Sequence, residues 1–115
     1  MLSKYIIVTT TTDTVDRARA MARTLIDERL AACVEIQTVQ SLYRWDGAVC
    51  DTTEYVLVLK TRADLYAQVE ARILALHTYD LPQIIALPIV AGLPGYLNWV
   101  NEETKSMKEQ GRNAR

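Results

Sequence analysis

The side chains best suited to chemistry in this sequence gather around one short segment, from His77 to Asp80. The segment supplies an imidazole, the phenol of Tyr79 and a carboxylate, and a predicted strand supplies the ammonium group of Lys60. Four such groups can build a small pocket for an anion or a metabolite at a boundary between subunits. The alternative is structural, because a histidine near the C-terminus of a helix can bind its last carbonyl groups and favour its dipole. The sequence leaves both interpretations open.

Signatures of a metal site or of catalysis are weak in this chain. It has one histidine and two cysteines, Cys33 and Cys50, without CxxC spacing, and this set is not a coordination signature. Cys33 leads into an apolar strand and is interpreted as a small buried residue. There is no nucleophile elbow and no phosphate-binding glycine loop, so the sequence predicts a protein that is not an enzyme.

The composition is that of an ordinary soluble globular protein. The 115 residues are half apolar and 23% charged, with a formal net charge of −1, which predicts one domain over residues 1–115 with a hydrophobic core. This charge provides no attraction to nucleic acid or to an anionic membrane. The separated cysteines, and an N-terminus unlike a secretion signal, predict a cytoplasmic protein.

One uncharged stretch, Leu81 to Val100, is long enough to span a bilayer. It contains all three prolines of the chain, which would interrupt a continuous helix. A buried strand, a turn and a short helix are predicted there instead, and no membrane partner.

The pattern of apolar residues predicts four strands and three helices. Short apolar, β-branched runs indicate the strands, and apolar residues at helical spacing indicate the helices. The strands are predicted over Tyr5–Val8, Cys33–Tyr43, Glu54–Thr61 and Gln83–Val90, and the helices over about 14–29, about 63–77 and 95–104. The polar tail, residues 105–115, is predicted to be flexible.

The second strand and its turn carry three further predictions. The apolar residues of this strand change parity along its length, so a bulge or bend is expected near Gln37–Gln40. Asp46-Gly47 marks a turn, and the loop is predicted to continue to about Thr52. Exposed aromatic residues beside an arginine are typical of interface anchors, so Tyr43-Arg44-Trp45 is expected to pack on a neighbouring subunit.

The order of these elements, β-α-β-β-α-β with a short C-terminal helix, predicts an α+β fold. It is the ferredoxin-like, split βαβ arrangement with an antiparallel sheet. The first and third strands are expected at the centre of the sheet and the second and fourth at its edges. Pro88 within the fourth strand agrees with an edge position.

Both faces of the predicted sheet are apolar. In the first strand Ile6 and Val8 alternate with Tyr5 and Ile7, and the third and fourth strands behave in the same way. Two helices can cover only one face of a four-stranded sheet, and burying the rest would contribute on the order of 10 kcal/mol. The sequence therefore predicts an obligate, closed oligomer. The alternative is that the final helix covers the second face alone.

Several motifs in this order resemble those of the CutA divalent-cation tolerance proteins, over roughly residues 5–103. They are LAACV, SLYRW, VLVLKT, LHTYDLPQI and YLNWV. The resemblance implies a tight homotrimer with interlocking hairpins and a non-enzymatic role in tolerance of divalent cations. The family is also similar in shape to the P-II signalling trimers, which gives an alternative function. This alternative is a small-molecule sensor with its ligand in a cleft between subunits, near Lys60, His77 and Tyr79.

Copper is the ligand that the resemblance implies. His77 and Cys33 would be the donors, since imidazole and thiolate suit copper. Some family members carry a cysteine at the end of the first strand and a second histidine, where this chain has Thr10 and Leu76. Copper(II), or another divalent cation, is thus the only cofactor suggested, and these two departures weigh against a strong intrinsic site.

Overall fold

A four-stranded antiparallel sheet and three helices form residues 3–105, the part of the chain that the computed structural model describes. The strands are β1 (Tyr5–Thr12), β2 (Cys33–Trp45), β3 (Ala48–Arg62) and β4 (Ile84–Pro88). The helices are α1 (Val15–Asp27), α2 (Tyr66–Leu76) and α3 (Pro94–Glu103), and a single 3₁₀ turn, Ala63–Leu65, precedes α2. Apart from Lys105, the tail predicted to be flexible lies outside the described residues.

The strand order β2-β3-β1-β4 confirms the predicted α+β, ferredoxin-like arrangement. β1 pairs antiparallel with both β3 and β4, and β2 pairs antiparallel with β3. β1 and β3 are therefore central, and β4 with Pro88 lies at an edge, as expected from the missing donor of proline.

The hairpin of β2 and β3 is longer and more regular than the sequence predicted. Its register is unbroken from Cys33↔Lys60 to Trp45↔Ala48, so the bulge predicted near Gln37–Gln40 is wrong. The loop predicted to reach Thr52 is also wrong. Asp46 and Gly47 form a two-residue turn with φ of 52° and 78°, a combination typical of hairpin turns that match the strand twist.

The change of parity in β2 has another cause than a bulge. β1 accompanies β3 only as far as the pair Thr12↔Tyr55, so the outer part of the hairpin projects beyond the rest of the sheet. Outside the packed layer neither face has to be apolar, which allows Val39 to lie on the opposite face from Val34 without any slip in register.

The hydrophobic core lies between one face of the sheet and the helices α1 and α2. Thr14 caps α1, because its hydroxyl oxygen accepts a hydrogen bond from the backbone N–H of Arg17 at 3.1 Å. The largest core side chains are fully buried; they are Val8, Leu25, Leu57, Leu59, Leu65, Val69 and Ile73.

The opposite face of the sheet stays partly uncovered within the chain. α3 packs against one end of it, where the guanidinium of Arg62 donates to the hydroxyl of Thr104 at 2.9 Å. The remaining apolar side chains are only half-buried or are exposed, with Ile85 50% and Leu87 48% exposed. α3 therefore does not hide this face, which agrees with the two-sided apolar pattern.

The uncharged stretch from Leu81 to Val100 forms β4, an irregular connection and the greater part of α3. The predicted order of a strand and a short helix is confirmed, but the strand predicted to be buried is mostly exposed within one chain. Among the described residues, no helix is both long enough and apolar enough to cross a membrane.

Candidate functional site

A cavity of about 720 Å³ lies between the projecting hairpin and the connection from α2 to β4. This volume falls within the range of small-molecule sites. Thr11, at the end of β1, also lines it. The other lining residues are Gln40, Ser41, Leu42, Tyr43, Trp45 and Glu54 from the hairpin, and Thr78, Tyr79, Asp80, Leu81 and Gln83 from the connection.

The length of the hairpin creates this cavity. Seven residue pairs, from Val39↔Glu54 to Trp45↔Ala48, extend beyond the last pair between β1 and β3. At the usual rise of a strand they project roughly 20 Å. The connection from α2 to β4 faces this projecting part of the hairpin. The two segments therefore form the two sides of a cleft.

One of the residues that line the cavity is a buried carboxylate. Glu54 is only 7% exposed, and its Oε2 accepts a hydrogen bond from the hydroxyl of Tyr79 at 2.8 Å. Burial raises the pKa of the Tyr79 phenol far above its ordinary value, and the hydrogen bond to Glu54 adds to this effect. Tyr79 is therefore held neutral, as a donor to the carboxylate.

His77 holds Tyr79 in place from the end of α2. The backbone N–H of Tyr79 donates to Nδ1 of His77 at 3.1 Å, so the ring proton belongs on Nε2, which lies 2.7 Å from the carbonyl oxygen of Thr11. The two rings also contact each other, with their centroids 4.7 Å apart and their planes tilted by 55°. Both nitrogens of His77 are thus engaged within the chain, and a metal could bind this ring only by breaking one of these bonds.

Lys60 lies near the C-terminal end of β3, away from this cluster. Its ammonium pairs with the carboxylate of Glu35, which is the main cause of its raised pKa. Lys60 is six positions from Glu54 along the strand, a distance of about 20 Å at the usual rise per residue. One chain therefore brings His77, Tyr79 and Asp80 together, as predicted, but does not bring Lys60 to them.

Cys33 belongs to the Lys60 end of the sheet. It pairs with Lys60 across the strands and is half-buried. It lies beside Tyr96 of α3, and burial is the main cause of the raised pKa of the Tyr96 phenol. It does not share a site with His77 in this chain. Across the described residues 3–105 there is no group of three or more His, Cys, Asp or Glu side chains able to hold a metal.

The two positions where the chain departs from the family's copper-related pattern are structural. Thr10 is fully buried in β1, and its hydroxyl has no hydrogen-bond partner among the described residues. Leu76 is half-buried and packs against the core. Neither residue lines the cavity.

The electrostatics of the cavity favour a cation. Its lining residues, all within the described part of the chain, include two carboxylates, Glu54 and Asp80, and no lysine, arginine or histidine. Tyr43 and Trp45 present aromatic surface, 41% and 47% exposed. The candidate residues predicted from the sequence did not include Glu54, although an acidic residue at the start of a predicted apolar strand was a signal available in the sequence.

Comparison with known proteins identifies related chains over nearly the whole length. Residues 6–103 match the family model described as CutA1 divalent ion tolerance protein. A divalent-cation tolerance protein CutA from Thermus thermophilus is 39% identical over 104 residues, which cover 90% of this chain and 99% of the relative.

Solved structures agree with this similarity. CutA1 from Pyrococcus horikoshii has a TM-score of 0.85 at 38% identity, covering 88% of this chain and 99% of that one. A protein described as the periplasmic divalent cation tolerance protein CutA from Archaeoglobus fulgidus has a TM-score of 0.84 at 33% identity, covering 86% and 97%. The overall similarity therefore extends to both sequence and fold.

Proposed function

Since the chain belongs to the CutA1 divalent ion tolerance family, we propose that its function is tolerance of divalent metal cations. The observation that carries this proposal is the family match over residues 6–103, which includes the hairpin and the connection that form the cavity. The names of the relatives from Thermus thermophilus and Archaeoglobus fulgidus support the same role.

A growth experiment tests this function. A bacterial strain deleted for its own CutA-family gene is supplied with this chain on a plasmid and grown in graded copper(II), zinc(II) or cobalt(II). The plasmid should restore growth at cation concentrations that inhibit the strain carrying an empty vector. Equal growth of the two strains at every concentration, with the protein present by immunoblot, would rule the proposal out.

We infer a homotrimer as the working assembly. The support is the uncovered sheet face, where Ile7, Val56 and Val58 are half-buried and Ile85 and Leu87 are exposed. Apolar surface of this kind marks an interaction site on a folded chain, and its position on a sheet face suits a closed assembly of identical subunits. Packing of Tyr43-Arg44-Trp45 on a neighbouring subunit stays a prediction.

Direct copper binding by His77 and Cys33 also stays a prediction. The intrachain bonds of both His77 nitrogens and the position of Cys33 beside Lys60 weigh against a site made by one chain. The proposed tolerance role does not require such a site.

We propose that the protein is cytoplasmic and that it is not an enzyme. Two free cysteines suit a reducing compartment, although the relative from Archaeoglobus fulgidus is described as periplasmic. The engagement of His77 in structural hydrogen bonds leaves it no free nitrogen for acid–base work in this conformation. The alternative P-II-like sensor, with a ligand in a cleft between subunits near Lys60, His77 and Tyr79, stays a prediction.

A further inference from the structure

We propose that a groove between α1 and the edge strand β2 binds a small organic anion with an apolar body, such as a carboxylate on an alkyl chain. Arg19 and Arg23 would bind the anionic group, and Val34 and Ile36 would contact the apolar body. This site is independent of the proposed metal tolerance. It also lies apart from the anion pocket that the sequence suggested near His77.

The groove has an apolar floor from the sheet and a wall from the helix. Its volume is about 670 Å³, which falls within the range of small-molecule sites. Val34 and Ile36 of β2 are half-buried, as is Ala22 of α1, and Ile26 of α1 is 38% exposed. Because β2 is the edge strand, none of the described strands covers this apolar surface from outside.

Arg19 and Arg23 give the groove its charge. They lie one helical turn apart on the wall, and like charges at this spacing on one face of a helix repel each other. Within residues 3–105, neither guanidinium forms an ion pair or a hydrogen bond. A carboxylate between them would remove this repulsion, and the planar guanidinium group is suited to paired hydrogen bonds with a carboxylate.

The arginines outside the groove differ in this respect. Several of them already pair with carboxylates; the pairs are Arg17–Asp13, Arg62–Asp64 and Arg72–Glu28. Asp27 also lines the groove, four positions after Arg23, but in the described part of the chain it forms no ion pair with it. The charge of Arg19 and Arg23 is therefore available to a ligand.

The inferred trimer does not use this side of the sheet. It depends on the opposite, uncovered face and on Tyr43-Arg44-Trp45 at the tip of the hairpin. Val34 and Ile36 lie at the base of the hairpin, where they pair with Leu59 and Leu57 on the face that the helices cover. A strand that another subunit added to the edge of β2 would lie in the plane of the sheet, so it would extend the floor of the groove.

Isothermal titration calorimetry of the full, assembled chain tests this inference with three probes. Sodium octanoate has both the charge and the apolar chain, acetate has the charge alone, and octanamide has the chain alone. Octanoate should bind about tenfold or more tightly than acetate, because its chain would cover the apolar floor. It should exceed octanamide by a similar factor, as expected for hydrogen bonds to a charged group.

Three variants of α1 locate the binding. Arg19→Gln and Arg23→Gln each remove one charge from the groove and keep a good helix former, and each should weaken octanoate binding about tenfold. Arg17→Gln is the matched control, because it makes the same change of net charge on the same helix at a residue outside the groove. It should leave octanoate binding unchanged.

A variant of the apolar wall tests the second half of the ligand. Ile26→Gln replaces an exposed apolar side chain of the groove and should weaken the binding of octanoate severalfold. Octanoate binding that is absent, or that equals the binding of octanamide, would overturn the inference. So would octanoate binding that neither Arg19→Gln nor Arg23→Gln weakens more than Arg17→Gln does.

Discussion

At the scale of single residues, the best-defined feature is the chain of contacts from Thr11 through His77 and Tyr79 to Glu54. Each link is a hydrogen bond of 2.7 to 3.1 Å, and together they connect the end of α2 to the end of β1 and to the middle of β3. The imidazole is the central link, because one nitrogen donates and the other accepts. The ring of His77 thus binds the carbonyl of Thr11 in β1 and the N–H of Tyr79, instead of the last carbonyl groups of α2. The interpretation of His77 as part of a pocket between subunits stays a prediction.

Tyr79→Phe tests this network through the pH dependence of stability. The folded chain raises the pKa of Tyr79 above its ordinary value of 10.0, so only the unfolded chain ionises this phenol near pH 10. The free energy of unfolding should therefore be fully present below about pH 10 and fall as the pH rises above it. Tyr79→Phe should reduce that fall, as measured by urea unfolding between pH 8 and pH 11 at one protein concentration.

The same variant should also be less stable at neutral pH. Removing the hydroxyl leaves the buried Glu54 without the phenol donor, which should lower the free energy of unfolding by about 1.5–3 kcal/mol. Tyr66→Phe is the matched control, because that phenol donates at 2.8 Å to Glu70, which is less buried than Glu54. A Tyr79→Phe profile identical to that of the unmodified chain would contradict the assigned hydrogen bond.

At the scale of elements, the hairpin of β2 and β3 decides where a site can form. It continues seven residue pairs beyond the β1 pairing, and its turn needs only two residues. The loop was predicted to continue from Asp46-Gly47 to about Thr52, but cross-strand hydrogen bonds hold the segment from Asp51 to Thr53 in the ladder. Gln40 donates to Asp51 at 2.7 Å and accepts from the hydroxyl of Thr53 at 3.1 Å, which stabilises a strand that has little apolar surface to bury.

Gly47→Ala tests the turn. Gly47 has a φ of 78°, and a Cβ added there would meet no atom within 4 Å, so the cost is backbone strain alone. The free energy of unfolding should fall by about 1 kcal/mol in a urea titration.

Gly95→Ala is the matched control for that experiment. An added Cβ at Gly95 also meets nothing within 4 Å, but this glycine lies in α3 with no positive φ. Alanine should be neutral there or stabilising by up to about 1 kcal/mol. An equal loss of stability in both variants would mean that the strain assigned to the turn is wrong.

At the scale of the whole molecule, the sheet has one face packed on helices and one apolar face that the chain leaves partly open. α3 occupies only the end of this face near Arg62. The edge strand β4 contributes Ile85 and Leu87, both about half exposed. A partner copy is the simplest cover for such a surface, since closed symmetry would bury it on every subunit at once.

Leu87→Asp tests the assembly. The unmodified chain should show a mass three times its own 13.0 kDa by light scattering, and Leu87→Asp should lower that mass, because a charge would replace apolar surface at the interface. Leu74→Asp, at a position on α2 that is 53% exposed, should keep the full mass. A single-chain mass for the unmodified protein at micromolar concentration would refute the inferred trimer.

Much of the fold could be predicted because its signals are local. Continuous apolar, β-branched runs located β1 and β3, helical spacing located α1 and α2, and Pro88 indicated an edge strand. The hairpin was less predictable. Its outer strands mix polar and apolar residues on both faces, with Leu42, Trp45 and Val49 exposed. They therefore lack the alternation that a half-buried strand shows, and only the cross-strand register revealed them.

The sequence by itself determined the order of elements, the two-sided apolar sheet and the family, since each depends on residue types at fixed spacing. Only the tertiary structure decided which reactive groups meet. Lys60 and Glu54 belong to one strand yet lie six positions apart on it and do not meet, whereas Glu54 and Tyr79, 25 positions apart, share a hydrogen bond. The physical reason is that burial and charge at a site depend on distances between elements, and these are set by register and packing.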